Sequence, residues 1–286
     1  MTVLSQEQRA TSLEAMTSQK FDVLVIGGGV TGAGIALDAA ARGLSTAVIE
    51  GQDWAAGTSS RSSRLVHGGL RYLYNLDFKL VAEALRERGR LLTTIAPHLV
   101  EAQPFLWPLK TPVIERAYSA VGVGMYDALA RIGSKGRKTV PIQRHLSKAG
   151  AMRRFPEIKR NALVGAIEFY DARVDDARLV ITLIRTAVKY GAAAASRVKV
   201  TEVLKDGRGR ACGVKAVDLE NGNEFTIEAD RIINATGVWT EQTQELAGGT
   251  GGLKVLTSKG IHIVIPRERL KATTGLFLRT EKSVLF

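Results

Sequence analysis

The sequence predicts a two-domain α/β fold: a parallel sheet extended by an antiparallel β-meander, with an α+β region inserted between its parts. Three observations predict it. An apolar run, Phe21–Ile26, passes directly into Gly27-Gly28-Gly29-Val30-Thr31-Gly32. Two turn signals, Asp206-Gly207 and Asn221-Gly222, separate short strand-like runs near the other end. Between these regions, four of the seven prolines fall at positions 97, 104, 108 and 112 and break the regular pattern.

The elements follow in order. Residues 1–20 lack a core-facing period and read as a flexible tail or a loose first helix. Phe21–Ile26 is a strand, Ala33–Arg42 a helix closing at Gly43, and Ser45–Ile49 a second strand ending at Glu50. This strand, glycine turn, helix and strand is the unit of a parallel sheet. Residues 51–70 are rich in Gly, Ser and Thr and read as a loop, and helical patterning resumes over Phe78–Ile95. Ile114–Ile132 is an amphipathic helix. A further helix starts at Asp175 or Asp176, both good N-caps, and runs to Tyr190 before Gly191. Val198–Lys205, Gly213–Leu219 and Glu224–Ala229 form the meander, and Arg231–Asn234 leads out of it. Gly248–Gly252 is a junction, and Ile261–Ile265 and Leu276–Arg279 are strand-like. The apolar close at Ser283–Phe286 is expected to begin a strand that continues in a longer protein. The expected division is a tail at 1–20, a first domain at 21–96 and 171–250, and a second at 97–170 and 251–286.

Composition narrows the class. With 286 residues, 45% hydrophobic and 24% charged, the chain has ample material for a core and is neither disordered nor collagen-like. The lone Cys212 forms no internal disulfide, which fits a reducing compartment, and it is expected to be an inert buried thiol. No leader and no membrane-spanning run stands out. The net charge of +12 favours anionic partners: phosphates, anionic lipid or nucleic acid. No motif supports nucleic acid, and the basic clusters at Arg131–Lys138 and Lys148–Arg154 read chiefly as solvated faces.

The glycine turn carries the first chemistry. Gly27 permits the tight turn, Gly29 lets backbone approach a pyrophosphate, and Gly32 lets the helix pack on the strand. The N–H groups at the helix start, around Val30 and Thr31, favour the ligand's negative charge. Glu50 ends the next strand, where a carboxylate accepts both ribose hydroxyls and repels a 2′-phosphate, arguing against NADP. FAD and NAD share this fingerprint. An NAD-only domain continues with further βα repeats. This chain turns instead to a polar loop, an insertion and a meander ending in Ala235-Thr236-Gly237. That organisation predicts a two-domain flavoprotein: a Rossmann-like FAD-binding domain and an inserted α+β substrate domain.

The stretch Gly57-Thr58-Ser59-Ser60-Arg61-Ser62-Ser63-Arg64-Leu65-Val66-His67-Gly68-Gly69-Leu70-Arg71-Tyr72 resembles the FAD-dependent, quinone-linked glycerol-3-phosphate dehydrogenases. Ala96-Pro97-His98-Leu99, Val174–Leu179, Asn234–Gly237 and Ser258-Lys259-Gly260-Ile261-His262 are similar to segments of that family, in the same order. The resemblance runs from about residue 21 to the end. It implies oxidation of sn-glycerol 3-phosphate to dihydroxyacetone phosphate, with electrons passing through FAD to a membrane quinone. It also implies a peripheral protein on the cytoplasmic face of the cell membrane, and a full-length parent roughly twice this long that could be a homo-oligomer.

The resemblance extends the site. Thr58, Ser59, Ser60 and Ser63 lie beside the FAD, and Gly68-Gly69 lets backbone approach the isoalloxazine. Val200 matches a position contacting adenine through its backbone, with strand packing as the alternative, and Ala235, Thr236 and Gly237 complete the cofactor set. Arg71 and Tyr72 are the substrate candidates, because a guanidinium fork and a phenol suit a phosphate dianion; pairing to a carboxylate and core packing are the plainer alternatives. Removing the C2 hydroxyl proton needs a base, and histidine titrates near neutral pH. Of the four histidines, His262 is expected near the substrate and His67 nearer the flavin, with a structural role for each, or a base beyond residue 286, as alternatives. No residue is assigned to a metal. Two other readings share these features: a glycerol-3-phosphate oxidase that passes electrons to oxygen, and a non-catalytic FAD-binding module.

Overall fold

The computed structural model describes residues 4–69, 77–111, 113–133, 139–249, 254–258, 260–279, 284 and 285. In chain order, α1 (Gln6–Ser18) precedes β1 (Phe21–Ile26), α2 (Val30–Ala41) and β2 (Thr46–Glu50). A single 3-10 turn at Thr58–Ser60 leads to β3 (Leu65–Val66) and α3 (Phe78–Arg90), which ends in a π-helical turn, Leu91–Ile95. Next come β4 (Val100–Leu109), α4 (Ile114–Gly133), β5 (Arg144–Ser147), α5 (Lys148–Arg154) and β6 (Gly165–Val174). Then follow α6 (Asp176–Lys189), β7 (Ala193–Ser196), β8 (Val198–Lys205), β9 (Ala211–Asp218), β10 (Glu224–Asn234) and α7 (Thr240–Leu246). Short strands β11 (Gly275–Leu276), β12 (Leu278–Arg279) and β13 (Val284–Leu285) close the described chain.

Two compact units divide these elements: residues 1–62 with 176–260, and 63–175 with 261–286. The first is built on a six-stranded sheet in the order β7-β2-β1-β10-β9-β8. Its first four strands run parallel, which buries β1 on both faces and explains the near-continuous apolar run Phe21–Ile26. Val23 and Val25 pack under α2 and α6 with Ala33, Ala36 and Ile184, whereas Leu24 and Ile26 face the cluster of Met16, Val198 and Ile227. The meander signals are present, but β10 does not stop at Ala229. It pairs antiparallel with β9 over Glu224–Glu228 and then parallel with β1 over Ala229–Asn234, so one strand joins the meander to the parallel sheet. In the first meander turn, Gly209 rather than Gly207 takes the left-handed conformation (φ +75°), because the loop spans Asp206–Arg210.

Residues 6–18, expected as a tail or loose helix, form a helix docked on this sheet. Met16 is buried, Ser12 Oγ accepts from the Ala194 N–H at 3.1 Å, and Arg9 forks onto Asp218 at 2.6 and 3.2 Å. Cys212, expected to be buried, is half-buried on β9.

The second unit contains a sheet in the order β11-β4-β6-β3, with β5 also pairing to β6. Pro104 and Pro108, expected to interrupt regular structure, lie inside β4. The Phe277 N–H donates to Leu106 O at 2.9 Å on the side away from β6. The even-numbered residues of β4 therefore turn their backbone polar groups away from β6, so neither proline removes a β4–β6 hydrogen bond. The described residues of 63–96, expected in the first domain, belong here. Leu65 and Val66 pair with Arg173 and Ala172 of β6, and Val81 and Leu85 share a core with Phe105 and Phe169. Ile261–Ile265 forms no strand among the described residues: Ile261, Ile263 and Val264 are exposed and no ladder partner lies beside them.

The Arg9 fork generates a test of the α1 docking. Its guanidinium holds the Asp218 carboxyl below the ordinary carboxylate range, so this contribution is complete above about pH 4 and disappears as pH falls through the depressed folded value. Arg9→Ala is expected to cost about 2 kcal/mol at pH 7 in urea melts, with the gap to wild type narrowing as pH falls below about 4. A gap independent of pH would contradict the role of the pair.

Candidate functional site

The site of the first unit starts from the β1–α2 turn. Gly27 takes φ +114°, and a Cβ there would lie 2.5 Å from Ala235 O. The turn is tied on both sides, with Gly27 N–H donating to Ile49 O (2.9 Å) and Ala235 N–H donating to Ile26 O (2.8 Å). A Cβ on Gly32 would overlap the Gly27 carbonyl oxygen, so helix and turn approach to a distance only glycine allows. Gly29 is the N-cap and offers no side chain, and the first turn of α2 contains no acidic residue. The positive end of a twelve-residue helix is therefore left open to an anion. Ser59 Oγ accepts from the Val30 N–H at 2.9 Å, tying the 58–60 turn to this helix start.

Glu50 lies where expected, at the end of β2. Its Oε2 accepts from the Gly28 N–H at 2.6 Å and its Oε1 from the Gln52 N–H at 2.7 Å. Two main-chain donors thus fix the carboxylate, and its remaining lone pairs are free to accept from a diol. Trp54 packs behind it: a Cβ on Gly28 would lie 2.5 Å from Trp54 Cε3.

These elements line a cleft of about 1250 Å³, above the roughly 300–1,000 Å³ of drug-sized ligand sites. Of the residues singled out in the sequence, Gly27, Gly29, Val30, Thr31 and Glu50 line it, as do Thr58 and Ser59. So do Val200, Ala235, Thr236 and Gly237. Gly32 is buried beneath the turn, and Ser60 is exposed and does not line the cleft.

The remaining candidates belong to the second unit. Ser63 and His67 are exposed, and Gly68 and Gly69 are buried, Gly69 with φ +76°. His262 is exposed on the segment that forms no strand. Arg71 and Tyr72 lie outside the described residues.

Several cleft residues were not anticipated. Trp239 lines the wall, and a Cβ on Gly57 would lie 3.0 Å from its Cζ3. Arg197 and Lys199 add positive charge, while Glu50 and Glu245 are the carboxylates of the lining. Trp239 had a signal in the sequence, an aromatic residue two positions after Ala235-Thr236-Gly237. Arg197 had none, since its φ of +61° reveals itself only in the backbone.

The donor set fits the adenosine diphosphate portion of FAD: an open helix terminus for the pyrophosphate, a glycine cradle that a Cβ would fill, and a fixed carboxylate for the ribose. The fold and the cleft together define a dinucleotide-binding flavoprotein architecture. A sequence profile described as FAD dependent oxidoreductase matches residues 22–284, and the chain belongs to that family.

Relatives sharpen the comparison. The chain is 49% identical over 283 residues to a glycerol-3-phosphate dehydrogenase of Mycobacterium leprae, covering 99% of this chain and 47% of that protein. It is 39% identical over 280 residues to an alpha-glycerophosphate oxidase of Streptococcus pyogenes, covering 96% and 45%. The crystal structure of the glycerol-3-phosphate dehydrogenase from Bacillus halodurans, complexed with FAD, matches with a TM-score of 0.63 at 30% identity, covering 86% of this chain and 40% of that one. The chain thus spans about half the length of the curated relatives it matches.

The closest backbone approach in the cleft sets the expected outcome for mutation. Gly32→Ala forces Cβ against a main-chain oxygen that cannot swing aside, which costs about 3 kcal/mol in denaturant melts and abolishes ADP binding by calorimetric titration. A variant that melts and binds like wild type would refute the packing role.

Proposed function

We propose that this protein oxidises sn-glycerol 3-phosphate to dihydroxyacetone phosphate. The observation that carries the reading is the 49% identity, over nearly the whole chain, to a glycerol-3-phosphate dehydrogenase. The cleft supports it, since its glycine turn and Glu50 suit FAD. When bound, FAD supplies the acceptor for the hydride that leaves C2 of the substrate.

On this reading the chain's own residues divide the remaining work. The N–H groups at the start of α2 hold the pyrophosphate, and Glu50 accepts from the ribose hydroxyls. Thr58, Ser59, Ser60 and Ser63 offer hydroxyls along the cofactor, Gly68 and Gly69 present backbone to the isoalloxazine, and Ala235–Gly237 complete the cofactor set from the end of β10. Arg71 and Tyr72 bind the substrate phosphate. His262 takes the proton of the C2 hydroxyl, and His67 lies nearer the flavin. The hydride and the proton together account for the two electrons and two protons lost as the alcohol becomes a ketone.

The acceptor in this reading is a membrane quinone, reached from a peripheral position on the cytoplasmic face of the cell membrane. The net charge of +12 supports contact with anionic lipid, and among the described residues no helix is long and apolar enough to cross a membrane. A second reading, transfer to oxygen, is favoured by the 39% identity to the glycerophosphate oxidase.

Anaerobic addition of sn-glycerol 3-phosphate to the FAD-loaded protein is expected to bleach the flavin's visible bands. A bound flavin that stays oxidised would overturn the substrate assignment for this chain. Reoxidation by a soluble quinone, without peroxide on exposure to air, separates the dehydrogenase from the oxidase. Glu50→Ala is expected to weaken FAD binding about tenfold through the lost ribose hydrogen bonds, and unaltered affinity would remove that role.

A further inference from the structure

Arg88 on α3 is 1% exposed, a costly placement for a guanidinium. Its Nη1 donates to Asp171 Oδ1 at 2.7 Å, to Tyr170 O at 3.1 Å and to Tyr126 Oη at 3.2 Å, and its Cζ lies 5.3 Å from the centre of the Tyr126 ring. Tyr126, on α4, is fully buried and donates to Asp171 Oδ2 at 3.1 Å. The carboxylate and the phenol, both held by Arg88, converge on a main-chain group. The Gly68 N–H donates to Tyr126 Oη at 2.8 Å and to Asp171 Oδ1 at 3.0 Å. A Cβ on Gly68 would overlap both Leu85 and the Tyr126 hydroxyl, so the backbone is pressed onto the cluster.

Stability alone does not account for this arrangement. A buried ion pair replaced by well-packed apolar groups of similar volume is often as stable or more so. Apolar groups cannot give a buried N–H its acceptors, and the phenol uses its full capacity here: its one proton goes to Asp171 and its two lone pairs take Gly68 and Arg88. Burial raises the Tyr126 pKa well above its ordinary value, so the proton that orients Asp171 is retained at neutral pH. The segment held in this way carries the exposed His67 on one side and Gly69, at φ +76°, on the other.

We propose that Arg88, Tyr126 and Asp171 are positioning residues that fix the backbone of His67-Gly68-Gly69, and through it the seating of the isoalloxazine ring. This rests on the reading of that segment as flavin-side. The three side chains are buried. They act through the Gly68 N–H, and their effect is confined to the part of FAD that ADP lacks.

The test compares wild type with Tyr126→Phe, using FAD and ADP as separate ligands. Tyr126→Phe is expected to lower FAD affinity roughly fivefold to tenfold and to alter the visible circular dichroism of the bound flavin. ADP affinity should stay unchanged, and hydrogen exchange at the Gly68 amide should accelerate. Asp171→Asn, which preserves shape and one acceptor, is expected to shift the same readouts in the same direction and serves if the phenylalanine variant folds poorly. Equal losses of FAD and ADP affinity, or an unchanged flavin spectrum and affinity, would overturn the proposal. A wild-type flavin whose visible spectrum matches free FAD, despite competition by ADP, would instead refute the flavin-side reading and the proposal with it.

Discussion

The contact between the Gly27 carbonyl and the backbone at Gly32 sets the geometry of the first unit. Because no Cβ intervenes, α2 starts directly over the end of β1, and its terminus, with no capping side chain at Gly29, lines the cleft. Gly27 in turn lies against Ala235, which locks the end of β10 beside β1. The β1–α2 turn thus meets a segment about two hundred residues later at one point. Their meeting brings the helix terminus, Glu50 and the residues after β10 onto the lining of one cleft.

Glu50 shows how the cleft is arranged for a ligand. A carboxylate near open N–H groups could collapse onto them and fill the anion site. It is held instead by the N–H groups of Gly28 and Gln52. The second unit uses ionised groups differently. Arg88 and Asp171 are withdrawn from solvent as a pair, and the carboxylate accepts from a single backbone N–H. One unit presents charge toward a ligand, and the other spends charge on holding its own chain in place.

The local parts of this architecture were legible in the sequence. The β1 run, the glycine turn, α2, β2 and Glu50 lie within about thirty residues, and their spacing is fixed by short-range geometry. Gly27, Gly29, Val30, Thr31 and Glu50 of the cleft followed from them, and Thr58, Ser59, Val200 and Ala235–Gly237 from the family resemblance. The failures share a cause in long-range pairing. β10 reads as two pieces because its two halves answer to different neighbours, β9 and then β1. Pro104 and Pro108 look like breakers until the hydrogen-bonding side of β4 is known. Residues 63–96 read as part of the first domain, whereas β3 is claimed by a strand about a hundred residues later. Arg88, Tyr126 and Asp171 carry no motif, and only the folded second unit brings them to Gly68. Ile261–Ile265 has the alternation of a strand but no ladder among the described residues, and alternation alone does not make one.

The central claim is that the cleft over the β1–α2 turn holds the adenosine diphosphate half of FAD. A crystal structure of this chain grown with FAD tests it most directly. The account predicts pyrophosphate oxygens within hydrogen-bond reach of the N–H groups at the start of α2, the adenine-side ribose on Glu50, and adenine beside Val200. An FAD molecule whose diphosphate lies elsewhere, with the glycine turn unaltered and its cleft occupied by solvent, would contradict it.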